Sequence, residues 1–206
     1  MVGAVTGRAV AWRIKYAMSG LAGFFLSGCA LISGSAVVDL YDISAPELHD
    51  VVRGSTRAQI LVAVPNAMQA LDTNRIAVRT GTATLGYIAG AQWADDLPKL
   101  LQAKLVQTFE QSGRVAAVGV PGEGLSINYS IRLNIRYFGL DTDGARRAVV
   151  EFSARIVNES NGRVVASRSF DHSVVAGTGT AGAVSALDSA FAQTAQDLAQ
   201  WMVSKI

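Results

Sequence analysis

The chain contains one cysteine, Cys29, and two histidines, His49 and His172. A single thiol rules out an internal disulfide and any cysteine-based metal site. Two fates are left for it, burial as a small apolar side chain or covalent modification. Its neighbours favour the second. Leu26-Ser27-Gly28 stand immediately before it. Further upstream lie Arg8, Arg13 and Lys15, with no acidic residue anywhere before Cys29. Between the charges and the cysteine runs an apolar stretch, Tyr16 to Leu26. A basic start, a short apolar centre and a small-residue exit read as a secretory signal peptide. Its 11 apolar-run residues fall short of the roughly 20 that a spanning helix needs. An ordinary signal ends in an A-x-A-like site. Leu-Ser-Gly-Cys instead resembles the bacterial lipobox, in which the chain is cut before the cysteine and the cysteine carries acyl chains.

Three other groups of residues could do chemistry. Gly177-Thr178-Gly179-Thr180-Ala181-Gly182 spells G-x-G-x-x-G between a strand-like and a helix-like segment. A dinucleotide site needs a second strand after that helix, ending in an acidic residue. Here the helical pattern runs to the C-terminus, so the glycines read as a loop leading into a helix. The two histidines lack cysteine partners for a metal, and no G-x-S-x-G elbow accompanies them. His172 alternates in phase with Phe170 and Val174 and reads as a structural histidine. Arg132 and Arg136, with Asn134, share the polar face of one strand. Arginine is enriched at protein interfaces, so these two are the candidate partner-docking residues.

Removing residues 1–28 leaves 178 residues, enough for one domain with its own core. That segment holds three of the 18 basic residues and none of the 16 acidic ones, leaving a side-chain charge of −1. The alkaline pI therefore does not point to nucleic acid, and no basic run remains. Residues 29–36 form a small-residue linker carrying the lipid, and residues 37–206 form the domain.

The domain must position these groups with strands and two helices. Val37–Ile43 predicts a first strand, and a polar loop follows over Glu47–Thr56. Gln59–Val64, a continuous apolar run closed by Pro65, predicts a strand buried on both faces. Arg75–Arg79 and Thr84–Ile88 predict two short strands. Trp93–Ser112 predicts a helix, with Asp95 or Asp96 as its cap and Pro98 in its first turn. Leu97, Leu101, Leu105 and Phe109 make its apolar face, and Gly113 suits the left-handed position after it. Arg114–Val118 predicts a strand returning in parallel. Leu125–Tyr137 alternates strictly, odd positions apolar and even positions polar, predicting a long half-wet strand. Ala148–Val157 and Val164–Val175 complete an antiparallel meander. Ala183–Val203 predicts a closing helix, with Val184, Leu187, Phe191, Leu198 and Trp201 inward. Trp93 and Trp201 read as packing residues. The expected fold class is α+β, an α/β sandwich made of a mixed sheet with two helices packed on it.

Several segments, in order, resemble the ABC-type transport auxiliary lipoproteins, the PqiC/YmbA-like group. They are Cys29-Ala30-Leu31-Ile32 with Leu40-Tyr41-Asp42-Ile43, then Leu71-Asp72-Thr73-Asn74-Arg75-Ile76-Ala77-Val78-Arg79. Trp93-Ala94-Asp95-Asp96-Leu97-Pro98 is similar to the family's helix motif. Ala186-Leu187-Asp188-Ser189-Ala190-Phe191 with Trp201 is similar to its last helix. The resemblance implies an accessory component of a Mce-type ABC lipid transport system of the diderm envelope, anchored to the membrane by its lipid. Its expected partners are a Mce-type substrate-binding subunit with its permease and ATPase, and further copies of itself. It implies no catalytic residue, no cofactor and no metal. Ala30, where an Asp would retain the protein at the inner membrane, implies the outer membrane, with the domain facing the periplasm. A carrier that binds lipid between sheet and helices is the alternative.

Cys29→Ser is expected to abolish fatty-acid labelling and leave unprocessed precursor. Mature-sized, labelled protein in that variant would exclude Cys29 as the lipid attachment site.

Overall fold

Short β-branched runs separated by small turn residues cannot each bury a face alone, and here they share a single sheet. The computed structural model describes residues 38–48, 52–81 and 83–206. The expected signal peptide, Cys29, the expected linker to Ala36, and His49 lie outside the described residues. In chain order the elements are β1 (Asp39–Tyr41), β2 (Gln59–Val62), β3 (Asn66–Ala67), β4 (Arg75–Thr80) and β5 (Thr84–Trp93). Helix α1 (Leu97–Ser112), β6 (Ala117–Gly119), β7 (Tyr129–Asp141), β8 (Arg147–Asn158), β9 (Arg163–Val175) and α2 (Gly179–Val203) follow. The nine strands form one open, mixed sheet. One core cluster joins residues of both helices to the sheet. The fold is thus α+β, as the residue pattern predicts.

Strand β7 organises the sheet. Along one edge it takes β2, β3 and β4 in turn, all parallel, against Tyr129–Ile131, Asn134–Ile135 and Gly139–Asp141. Along the other it pairs with β8, which pairs with β9, both antiparallel. The predicted meander is therefore present. Ala148, Val150, Phe152, Ala154 and Ile156 of β8 are all buried on the helix side. Two aromatic groups fill the layer beneath the helices. Trp93 meets Phe138 edge-on at 5.8 Å, and Phe138 lies 6.3 Å from Phe191. Phe170 lies 5.7 Å from Phe152 and 5.5 Å from Trp201. Both tryptophans therefore pack in the core.

Several elements depart from the predicted bounds, each for a physical reason. β1 is only three residues long, because Asp42 turns away to Lys104, 2.6 Å from its ammonium. In the loop after it, Leu48 and Val52 are buried although the segment around them is largely polar. β2 ends at Val62 and buries one face only. Ile60 and Val62 point into the core, while Leu61 is half-buried on the side without helices. β5 continues through Gly90, whose φ of 68° marks a bulge, to Trp93. The Trp93 N–H donates to the Asn74 carbonyl at 2.7 Å, so Trp93 belongs to the sheet. α1 begins at Leu97, with Asp96 at the N-cap position. Neither aspartate caps it through its side chain. The Asp96 carboxylate pairs with Lys99 at 3.0 Å, and the Leu97 N–H donates to the Thr73 carbonyl instead. Gly113 does take the left-handed position, at φ 61°. β6 pairs in parallel with β2, not with the strand immediately before α1. α2 starts four residues early, at Gly179.

The long strand is shifted more than any other. Residues 125–128 are not strand, Leu125 is exposed, and β7 runs on to Asp141. Ile131, Leu133 and Ile135 point inward and Arg132, Asn134 and Arg136 outward, as the alternation predicts. A register shift against β8 between Ile135 and Tyr137 then inserts one extra residue. Such a bulge reverses the phase. Phe138 and Leu140 enter the core, and Tyr137 is buried apart from that cluster.

Two substitutions test this packing. Phe191 is fully buried, so Phe191→Ala is expected to cost about 3–5 kcal/mol in urea unfolding. At Gly139 an added Cβ would lie 2.4 Å from the Ala77 carbonyl oxygen across the β4–β7 pair. Gly139→Ala is expected to lose roughly 1–3 kcal/mol or more, because the obstacle is backbone.

Candidate functional site

With both helices committed to one face of the sheet, the opposite face of β4, β7, β8 and β9 is free to carry chemistry. Alternation on β7 puts Arg132, Asn134 and Arg136 there, all exposed. Register partners share a face, so Arg132 stands opposite Arg155, Asn134 opposite Ser153, and Tyr137 opposite Glu151. β9 continues these rows with Ser167, Ser169 and Asp171.

The structure separates the two candidate arginines. Arg132 lines a cleft of about 610 Å³ with Leu61, Val64, Pro121, Ile127 and Glu159. Its guanidinium reaches Glu159 at 3.3 Å and Ser130 Oγ at 3.2 Å. Ser130 is fully buried, and its hydroxyl donates to the Glu159 carboxylate. Arg132 is therefore held in one orientation, with part of its charge met. Arg136, at the bulge, lines a smaller cleft of about 210 Å³ with Met68, Leu85, Arg79 and Tyr137. Among the described residues it makes no ion pair.

Beside it lies a network that periodicity did not reveal. Arg79 of β4 pairs with Asp141 of β7 at 2.6 Å and stacks over the Tyr137 ring at 4.4 Å. The Asp141 carboxylate also accepts the Asp143 N–H at 2.9 Å. That backbone hydrogen bond, then Arg79, hold its carboxyl below the usual carboxylate value. The same pair raises the Arg79 guanidinium. Burial pushes the Tyr137 phenol up to about 12, and its hydroxyl donates to the Leu140 carbonyl. These groups are fixed in their charge states at neutral pH, which suits a recognition surface rather than proton transfer.

The other chemistry-bearing residues take structural places. Arg146 donates to the carbonyls of Gly177 and Gly179. A Cβ at Gly182 would lie 2.7 Å from the Gly177 backbone, so the glycines allow a close approach of loop and helix. His172 Nε2 lies 2.9 Å from Asp197 Oδ2 and ties β9 to α2. Among the described residues, no group of three or more His, Asp or Glu side chains is placed to hold a metal ion. No described helix is long and apolar enough to cross a membrane. Ser130, Glu159, Arg79, Asp141 and Tyr137 were not singled out in the sequence. The ion pairs that hold them, Arg132–Glu159 and Arg79–Asp141, span 27 and 62 residues of sequence, beyond any local pattern.

A family model described as ABC-type transport auxiliary lipoprotein component matches residues 41–199. An uncharacterized protein of Bradyrhizobium diazoefficiens is 34% identical over 164 residues, which is 79% of this chain and 44% of that protein. The chain therefore spans less than half the length of that curated relative. The crystal structure of protein XCC0632 from Xanthomonas campestris is similar with a TM-score of 0.73 at 29% identity, over 81% of this chain and 96% of that one. A second crystal structure, of an uncharacterized protein, has a TM-score of 0.59 at 17% identity, over 79% and 99% of the two chains. It shares the fold.

The Arg79–Asp141 pair makes a checkable statement about pH. A carboxyl lowered in the folded state adds stability above the unfolded value of about 3.9, and that stability is lost as pH falls through the folded value. Arg79→Ala is expected to raise the Asp141 titration, followed by NMR. It should also shrink the stability difference between about pH 6 and about pH 3. An unmoved Asp141 titration would mean that the Asp143 N–H alone sets it.

Proposed function

The chain belongs to the family of ABC-type transport auxiliary lipoprotein components, and from that premise we propose its role in the envelope. The protein is a lipid-anchored accessory component of a Mce-type ABC lipid transport system, acting by protein–protein contact. Residues 1–28 are its signal peptide, Cys29 carries the lipid, and residues 29–36 tether the domain of residues 37–206. It sits at the outer membrane and faces the periplasm. A tether of this kind concentrates the domain where it meets its partner. More than one acyl chain is needed for stable attachment, at about 0.8 kcal/mol per buried methylene. The partner is the periplasmic part of the Mce-type subunit that works with a permease and an ATPase.

One observation carries the contact role in preference to a lipid carrier. A carrier needs an apolar cavity of several hundred Å³, at least ~300 Å³, that encloses its ligand. Between sheet and helices this chain packs two buried aromatic groups, Trp93–Phe138–Phe191 and Phe152–Phe170–Trp201. The polar features lie on the opposite face, where Arg132 is braced by Glu159 and Ser130. A pre-oriented arginine loses less freedom on binding than a mobile one. Arg132 and Arg136 are the docking residues, one in each cleft.

Co-purification from detergent-solubilised envelopes tests this. Wild type is expected to recover a Mce-type subunit, and Arg132→Glu/Arg136→Glu to lose it while keeping its melting temperature. Unchanged recovery would remove this face as the docking site. Absence of any transporter component, with phospholipid tightly bound to the domain, would favour the carrier instead.

A further inference from the structure

Strand β1 is the first described element after Cys29, and it lies at an edge of the sheet. Among the described residues it pairs with β5 alone. Val38 and Leu40 alternate on one side of it. They are 40% and 68% exposed, and no other large apolar side chain described is as exposed as Leu40. Register places Gln92 beside Leu40 and Arg75 beside Gln92, so one row crosses three strands. The Arg75 guanidinium lies 3.6 Å over the Tyr87 ring. Among the described residues it makes no ion pair. The two acids of this segment do not join the row. Asp39 points to the other side of β1, and Asp42 pairs with Lys104 at 2.6 Å. Single exposed apolar side chains need no account. Two on one side of a free edge, in a row that ends in a cation stacked on an aromatic ring, have the make-up of a surface that meets lipid headgroups.

We propose that the β1 edge of the domain rests on the bilayer that holds the Cys29 lipid, with Val38 and Leu40 between the headgroups. The proposal rests on the reading of Cys29 as the lipidated residue. The chain from Cys29 to Val38 spans at most about 32 Å, so β1 is the part of the sheet held nearest the membrane. Strand β9 stands five strand spacings away across the sheet, about 24 Å. Two apolar side chains are too few to hold a free domain on lipid. A tether makes the contact intramolecular, and two then suffice to orient the domain. The outer edge of β1 keeps the contact shallow, because unpaired backbone N–H and C=O groups do not enter hydrocarbon. Only the side chains reach the boundary of headgroups and acyl chains, roughly 5–10 Å deep. Arg75 places its charge at the level of the headgroups. A single unpaired cation adds little attraction to anionic lipid, so the contact is apolar and persists in salt. With β1 down, the sheet stands on its edge. Arg132 and Arg136 of β7 lie three spacings from β1, about 14 Å, clear of the membrane and open to a protein partner.

The test uses the lipidated full-length chain reconstituted into phosphatidylcholine vesicles. With Cys29 acylated, an introduced cysteine is the only free thiol. A polarity-sensitive fluorophore is placed at Gln92→Cys, beside Leu40, and in a second sample at Val164→Cys on β9, itself 52% exposed. Flotation with the vesicles reports the anchor. On reconstitution, position 92 is expected to lose most of its quenching by aqueous iodide and to be quenched by lipids spin-labelled near the headgroup. The protection should persist in about 1 M salt, where the Debye length is about 3 Å. Position 164 is expected to keep its value in detergent-free solution. Val38→Asp/Leu40→Asp should return position 92 to that solution value while the protein still floats. Both side chains are exposed, so this variant is expected to keep its melting temperature. Protein that floats with position 92 unprotected overturns the docking and leaves the anchor standing. Equal protection at positions 92 and 164, or protection that survives the Asp substitutions, overturns it as well. Protein that does not float overturns the anchor at Cys29 and this orientation with it.

Discussion

Strand β7 is paired along both edges but covered by helices on only one face, and the rest of the domain is arranged around that condition. Its backbone groups are met by β2, β3 and β4 on one edge and by β8 on the other. In effect the segment from Gln59 to Thr80 runs once along β7, broken into three pieces at residues 63–65 and by the excursion around Leu71. A strand so enclosed cannot slide without exposing Ile131, Leu133, Ile135, Phe138 and Leu140 together. Gly139 makes the closest part of this arrangement possible, since the Ala77 backbone occupies the space of a side chain there.

The bulge at Arg136 converts one strand into two surfaces. Before it, the outward residues are long and polar. After it, Tyr137 turns outward, where Arg79 and Asp141 cover and pair around it. Had the alternation continued unbroken, Phe138 would face away from the helices and the contact from Trp93 through Phe138 to Phe191 would be lost. The same residue thus completes the core and delivers an arginine with no ion pair, among the described residues, to a cleft. Bulges commonly re-aim side chains near functional surfaces in this way.

The two faces divide the work. The helix side is filled by aromatic and aliphatic groups and supplies stability. The open side holds charge in fixed positions, with Asp141 and Arg79 locked as an ion pair and Tyr137 kept neutral. Recognition needs a rigid surface of definite shape and sign, and a sheet anchored by one packed layer provides it.

The chain's own residue order determined the fold class, both helices, the meander and the inward and outward faces of β7 up to Ile135. These follow from periods of 2 and 3.6, which are local and need no knowledge of partners. The wet face bearing Arg132 and Arg136 was legible for the same reason. The tertiary structure alone decided where β5 ends, that β6 joins β2, and that Tyr137 leaves the inward set. Strand pairing and bulges depend on which backbone lies alongside, and that backbone is distant in sequence. The bracing of Arg132 by Ser130 and Glu159 and the Arg79–Asp141 pair are of the same kind. Each arises because the sheet brings separate strands to the same height, a distance that no local pattern records.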